Sequence, residues 1–132
     1  MEIFRNDYEP LAHVVSKINM DFQIGEGATT VTSELFIKPN ANYNGKSQDL
    51  VLDGDETNIK LMSLTLNGKA LKEGTDYELA PGKLVVKNPP PGSVLTTVVE
   101  IVPEDNTQLS GLYKSGPMYC TQCEAQGFRR IT

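Results

Sequence analysis

The sequence has little of what hydrolytic chemistry requires: among its 132 residues there are one histidine, two cysteines and no tryptophan. Zinc hydrolases commonly bind their metal through two histidines spaced i and i+4 on a helix together with a carboxylate. His13 has no second histidine to complete such a set, and one imidazole does not by itself build a serine- or cysteine-type triad. We therefore expect no catalysis by this chain alone, and we expect His13 to be structural or simply exposed.

Long apolar runs and basic clusters are also missing. No run approaches the roughly 20 residues that cross a bilayer, and the acid-bearing first residues differ from the basic and then apolar layout of a secretory signal. The net charge is −5 and the basic residues are scattered, so no stripe is available for phosphate backbones. These features predict no membrane partner, no nucleic-acid partner and a cytoplasmic location.

Alternation of apolar and polar residues is present instead, and this period of two is typical of strands that bury one face. Turn signals separate the alternating runs, among them Gly25–Gly27, Asn67-Gly68 and Pro81-Gly82. The predicted strands are residues 18–24, 29–38, 50–52, 59–66, 76–79, 83–86 and 95–102. Short strands at this spacing predict an all-β fold, an antiparallel sandwich or an open barrel-like sheet.

The composition changes after Pro103. Residues 1–103 are predicted to form the β-sandwich core, whereas residues 104–132 are rich in Gly, Ser, Gln and Thr and lack sustained periodicity. The second segment is therefore predicted to be irregular, without another strand pair, and to lie on the surface or await a partner.

Both cysteines lie in that segment, as Cys120-Thr121-Gln122-Cys123. A zinc site of this type needs a second cysteine pair or two histidines, and a thioredoxin-like site normally starts a helix in a βαβ unit. Reduced structural thiols, a disulfide and a metal or redox role all remain open. Glu124, taken without context, is a solvated surface acid.

Two stretches together resemble a known family. Residues 106–116 and 120–132 are similar to the N-T-x-L-x-G-L-Y-x-S-G and C-T-Q-C-E-A-x-G-F-R-x-I-T blocks of bacterial aminopeptidase N, also called alanyl aminopeptidase. Residues 5–8 and 50–54 also occur in the order and at the spacing of that family. The resemblance spans the chain and is strongest over its last 27 residues, from Asn106 to Thr132.

The resemblance implies an amino-terminal β-domain of a zinc metallopeptidase that removes amino-terminal residues from peptides. Its partner would be the catalytic domain of the same chain, toward which residues 104–132 would reach, and the zinc would be bound outside these 132 residues. It further implies that Glu124 binds the free α-ammonium of the peptide and that Gln122 borders the first side-chain pocket. Gln126 departs from the pattern, which often has an acid there.

The role implied for Glu124 is physically reasonable, because a free amino terminus is the charge that distinguishes a chain end from a chain interior. A carboxylate about 4 Å from an ammonium gains roughly 4 kcal/mol of gross Coulomb energy at an effective dielectric constant near 20. The alternative function is a stand-alone β-sandwich that binds a peptide or a carbohydrate through its loops. A redox or metal protein built on the cysteine pair is a further alternative.

Overall fold

The computed structural model describes residues 10–46, 48–54, 59–107 and 111–122. The strands in these residues are β1 (His13–Ile24), β2 (Thr29–Pro39), β3 (Leu50–Asp53), β4 (Ile59–Leu66), β5 (Lys69–Ala70), β6 (Tyr77–Ala80), β7 (Lys83–Val86), β8 (Val94–Ile101), β9 (Gly111–Ser115) and β10 (Met118–Gln122). A short 3₁₀ turn, Pro103–Asp105, follows β8. No helix within the described ranges is long and apolar enough to cross a membrane. The prediction of an all-β fold is confirmed.

The largest sheet has five strands in the order β1-β2-β8-β4-β5, and every neighbouring pair is antiparallel. Its central strands alternate as their sequences predict. In β2 the side chains of Val31, Ser33, Leu35 and Ile37 are buried on one face, which we call the inner face. The intervening side chains of β2 are half-buried or exposed. The outer face of the sheet is accordingly polar and rich in threonine.

A second sheet, with the order β3-β7-β6, covers one half of the inner face. Leu50 of β3 and Val86 of β7 pack there against side chains of the large sheet. The buried members from the large sheet are Leu35, Ile37, Leu64 and Leu95. This first cluster is a sandwich core, because apolar side chains from two facing sheets meet in it.

The hairpin β9–β10 is associated with the other half of the inner face. Leu112 of β9 is buried with Val31, Val99 and Ile101, and Tyr119 of β10 packs beside them. The expectation that residues 104–132 contain no strand pair is therefore wrong for residues 111–122. Each strand has only five residues and Leu112 is the one buried apolar side chain between them, so the sequence offers no periodicity to detect.

Two β-bulges explain the other differences from the predicted strands. The register of β1 against β2 shifts between Val15 and Lys17, so Val15 and Ile18 lie on the same face although three positions separate them. The break in alternation hid the first five residues of β1, which begins at His13 and not at Ile18. A second bulge, in β4, lies at Met62 and leaves its side chain exposed.

The turn between β4 and β5 forms at Asn67-Gly68, as predicted. Both residues have positive φ, 52° and 85°, which is the requirement of a two-residue hairpin turn. The Asn67 side chain also accepts a hydrogen bond from the backbone N–H of Val94 at 2.9 Å, and the Asn67 N–H donates to the carbonyl of Val94. The turn is thus tied to the start of β8.

Strand β1 carries a row of apolar side chains on the inner face that neither small sheet covers. The side chains of this row are between 36% and 50% exposed. The members are Val15, Ile18, Met20, Phe22 and Ile24. The partners of Val15, Ile18 and Phe22 on β2 are Ile37, Leu35 and Val31, which are buried. The core therefore ends at β2, and the apolar face of the sheet continues one strand further.

The first cluster predicts a large effect for one substitution. Leu95 is 0% exposed, so Leu95→Ala should lower the free energy of unfolding by about 2–5 kcal/mol through lost burial and the remaining cavity. Met62→Ala, at the exposed bulge, serves as the matched control and should change it by less than about 1 kcal/mol. Urea denaturation measures both, and equal effects would contradict this description of the core.

Candidate functional site

The structure places one of the two predicted site residues. Gln122 is the last residue of β10, is exposed, and pairs across the hairpin with Gly111. Glu124 and Cys123 lie outside the described residues, as does Gln126. The predicted contact between Glu124 and a peptide amino terminus therefore stays a prediction.

Strand β10 has two chemically different faces, because successive side chains of a strand point to opposite sides. Tyr119 and Thr121 share one face, and Tyr119 packs beside the cluster around Leu112. Cys120 and Gln122 share the other face, on which Cys120 is a half-buried free thiol. Gln122 thus points away from the side on which the hairpin is attached to the domain.

The hydroxyl of Tyr119 attaches β10 to two distant parts of the chain. It donates a hydrogen bond to Oε1 of Glu104 at 2.8 Å and lies 3.3 Å from the carbonyl oxygen of Gly25, in the turn after β1. A hydroxyl has one hydrogen, so the shorter contact with the carboxylate is the stronger bond. We call Tyr119, Glu104 and Lys114 the Tyr119 anchor.

Lys114 completes the anchor from the neighbouring strand. It is the cross-strand partner of Tyr119, and its ammonium lies 5.2 Å from the centroid of the Tyr119 ring. The same ammonium is 3.9 Å from Oε1 of Glu104, at the outer limit of an ion pair. Both side chains of that pair remain 26% exposed, so the ion pair itself adds little stability and the hydrogen bond gives the cluster its direction.

These contacts shift the ionisation of both acidic groups. The hydrogen bond from Tyr119 lowers the pKa of Glu104 below its ordinary value of 4.5, with a backbone hydrogen bond and the charge of Lys114 acting in the same direction. The hydrogen bond to Glu104 raises the pKa of Tyr119 above 10.0, and burial and the carboxylate charge raise it further. A depressed carboxyl pKa adds stability above pH 4.5 that is lost as the pH falls through the folded value.

His13 has a structural role, as expected. It is buried at the first position of β1, and its Nε2 donates to the backbone carbonyl of Gln48 at 2.6 Å. Since a carbonyl only accepts, Nε2 carries a hydrogen. Across residues 10–46, 48–54, 59–107 and 111–122, no group of three or more histidine, cysteine, aspartate or glutamate side chains could hold a metal ion.

A pocket of about 180 Å³ lies between the large sheet and the β3-β7-β6 sheet. Its described lining is mostly apolar, with Leu61 and Leu84 among the contributing side chains and Asp53 and Lys83 as the charged residues. Asp53 and Lys83 are cross-strand partners in β3 and β7. This lining offers a packing gap between layers and no nucleophile paired with a base, so the anchored hairpin is the better candidate site.

Comparison with curated proteins identifies similar sequences. Aminopeptidase N of Caulobacter vibrioides is 39% identical over 126 residues, which is 96% of this chain. The aminopeptidases N of Escherichia coli and Haemophilus influenzae are each 34% identical over 98% of it. Over nearly its whole length the chain is similar to one part of aminopeptidase N. It spans 14% of the length of each of these relatives. No family model matches the chain.

Solved structures agree with this assignment. Aminopeptidase A of Legionella pneumophila, determined in complex with aspartic acid, superimposes with a TM-score of 0.80 and 31% identity over 96% of this chain and 15% of its own. A mutant M1 zinc metallopeptidase from Deinococcus radiodurans gives a TM-score of 0.68 over 92% of this chain and 28% of its own. At 16% identity this second likeness shows the fold alone.

The Tyr119 anchor was not found from the sequence. Tyr119 lies between the two blocks that resemble the aminopeptidase N family, and Glu104 precedes the first of them. No spacing rule links a glutamate with a tyrosine 15 positions later. The only available signal was the hairpin itself, since Lys114 and Tyr119 become cross-strand partners once a turn is placed at Gly116.

The anchor predicts a measurable titration. The Glu104 carboxyl should titrate below pH 4.5, and Tyr119→Phe should raise that midpoint because the hydroxyl donor is lost. Tyr113→Phe, on β9, is the control and should leave the midpoint unchanged. Carboxyl chemical shifts followed by NMR against pH test this, and a midpoint that Tyr119→Phe does not move would contradict the hydrogen bond.

Proposed function

We propose that this chain is the amino-terminal domain of a zinc-dependent aminopeptidase that removes amino-terminal residues from peptides. The observation that carries the proposal is an identity of 34–39%, over 96–98% of the chain, to aminopeptidases N that are about seven times as long. An all-β domain of this kind would pack on the catalytic domain of the same chain and form one side of the substrate cleft. A cytoplasmic location stays a prediction from the sequence.

Within that enzyme, Glu124 is proposed to bind the α-ammonium of the peptide, and Gln122 to border the first side-chain pocket. The hairpin supports this role, because β10 ends at an exposed Gln122 on the face that points away from the Tyr119 anchor. A carboxylate two positions further along is close enough in sequence to act at the same place. Such a contact also fixes where the first peptide carbonyl lies, so it contributes to positioning as well as to binding.

Zinc is proposed to bind in the parts of the enzyme outside this chain. The described side chains here do not fit a metal site, and the neighbours from Deinococcus radiodurans are zinc metallopeptidases by name. When bound, zinc would supply an activated water for peptide hydrolysis. The residues of this chain would recognise the amino terminus and limit the cleft. The alternative of a stand-alone binding module gains no specific observation from the structure.

A substitution tests the role of Glu124 in the full-length enzyme. Glu124→Ala should lower kcat/KM for an aminoacyl anilide about 10- to 100-fold, because a charge-assisted contact with the substrate ammonium is lost. The zinc content, measured by atomic absorption, should stay the same. Glu34→Ala, an exposed acid on the outer face of β2, is the matched control. Full activity of Glu124→Ala would show that this assignment is wrong.

The 132-residue chain alone gives a second test. It should not hydrolyse an aminoacyl anilide with or without added zinc, because its described residues supply no metal-ligand set and it has a single histidine. Continuous absorbance at the wavelength of the released aniline measures this, with the full-length enzyme as the positive control. Zinc-dependent turnover by the purified chain would contradict the proposal that catalysis lies elsewhere.

A further inference from the structure

We propose that Tyr119 and Glu104 are positioning residues: their hydrogen bond sets the place and direction of the strand end that carries the amino-terminus recognition residues. This inference rests on the proposed function of Gln122 and Glu124. It assigns a role to Tyr119, which lies on the face of β10 opposite Gln122, and to Glu104 in the 3₁₀ turn.

Apolar packing alone does not fix β10. No residue of this strand is fully buried, and Met118 is 63% exposed. The buried apolar side chain of the hairpin, Leu112, belongs to β9. Asn106 also contacts β9, through a hydrogen bond from its side-chain amide to the Leu112 carbonyl at 2.9 Å. Strand β10 is therefore held by its ladder with β9 and by the contacts of Tyr119.

The hydrogen bond of Tyr119 also fixes the direction of β10. Burial is non-directional and permits a strand to slide or tilt, whereas a hydrogen bond weakens steeply when its distance or angle changes. The Tyr119 hydroxyl contacts both Glu104, in the 3₁₀ turn, and Gly25, in the turn between β1 and β2. Gly25 and Glu104 are far apart in the sequence, and each lies just after a strand of the large sheet. The two contacts therefore fix β10 relative to the large sheet and not only relative to β9.

Tyr119 and Gln122 are close to each other along β10. Gln122 is three residues after Tyr119 in the same strand, or roughly 10 Å at the rise of an extended chain. A small rotation about an unanchored Tyr119 would move the strand end by a comparable fraction of that length. Displacements near 1 Å are enough to reduce catalysis when a substrate must be held in one orientation.

The experiment is a double-mutant cycle in the full-length enzyme. Tyr119→Phe should lower kcat/KM for an aminoacyl anilide about three- to tenfold, mainly through KM, because the ring remains but the directional bond is lost. In the Glu124→Ala background the same substitution should change kcat/KM less than about twofold, since the residue it positions is gone. Tyr77→Phe, on β6 and away from the hairpin, is the matched control and should have no effect in either background.

Two further measurements separate positioning from general stability. Glu104→Gln keeps an acceptor oxygen and should lose less activity than Glu104→Ala. Amide hydrogen exchange over residues 118–122 should be faster in Tyr119→Phe, while exchange in β2 and β8 stays unchanged.

The outcomes distinguish this inference from the proposed function. If Glu124→Ala lowers kcat/KM and Tyr119→Phe does not, the positioning role is wrong and the proposed function stands. An equal effect of Tyr119→Phe in both backgrounds would also overturn the inference, because Tyr119 would then act on the enzyme in some other way. If Glu124→Ala has no effect, the recognition role of Glu124 is wrong and the inference that depends on it is wrong as well.

Discussion

The inner face of β2 and β8 is the surface on which the two small layers of this domain pack. Two neighbouring strands offer one buried face, on which the cross-strand partners Ser33 and Thr97 lie between two apolar clusters, and no single small sheet covers it. The β3-β7-β6 sheet packs against one half and the β9–β10 hairpin against the other. Burial of this face is the large favourable term in folding, and the hairpin shares in it only through Leu112 and its neighbours. The hairpin that leads to the proposed recognition residues is thus also part of the core.

That division of labour explains which features the sequence made predictable. Strands β2, β4, β7 and β8 were predicted almost to the residue because clear turn signals bound them, and in β2 apolar side chains also recur at alternate positions. Bulges defeated the same reasoning at Ser16 and Met62, since one inserted residue moves all later side chains to the other face. Alternation also shows which face of β1 is apolar without showing what covers it, and the row from Val15 to Ile24 is 36–50% exposed among the described residues.

The candidate site shows the limits of sequence reasoning in another way. Gln122 and Glu124 were identified through a resemblance to the aminopeptidase N family, and curated aminopeptidases N are similar to nearly the whole chain. The Tyr119 anchor could not be identified in that manner. It joins three segments that become neighbours only in three dimensions, and its members are common surface residue types. A pattern in one sequence carries no information about such a meeting point.

The two faces of β10 have a consequence for how a family of such domains can diverge. Residues on the face of Tyr119 are constrained by the turns they contact, whereas Cys120 and Gln122 lie on the face that does not hold the strand. Under the role proposed for Gln122, mutations on the second face would alter what the cleft accepts at little cost to folding, because the alternation of a strand separates the two roles between its two faces. Selection could then adjust substrate preference three positions away from Tyr119, a residue it must keep.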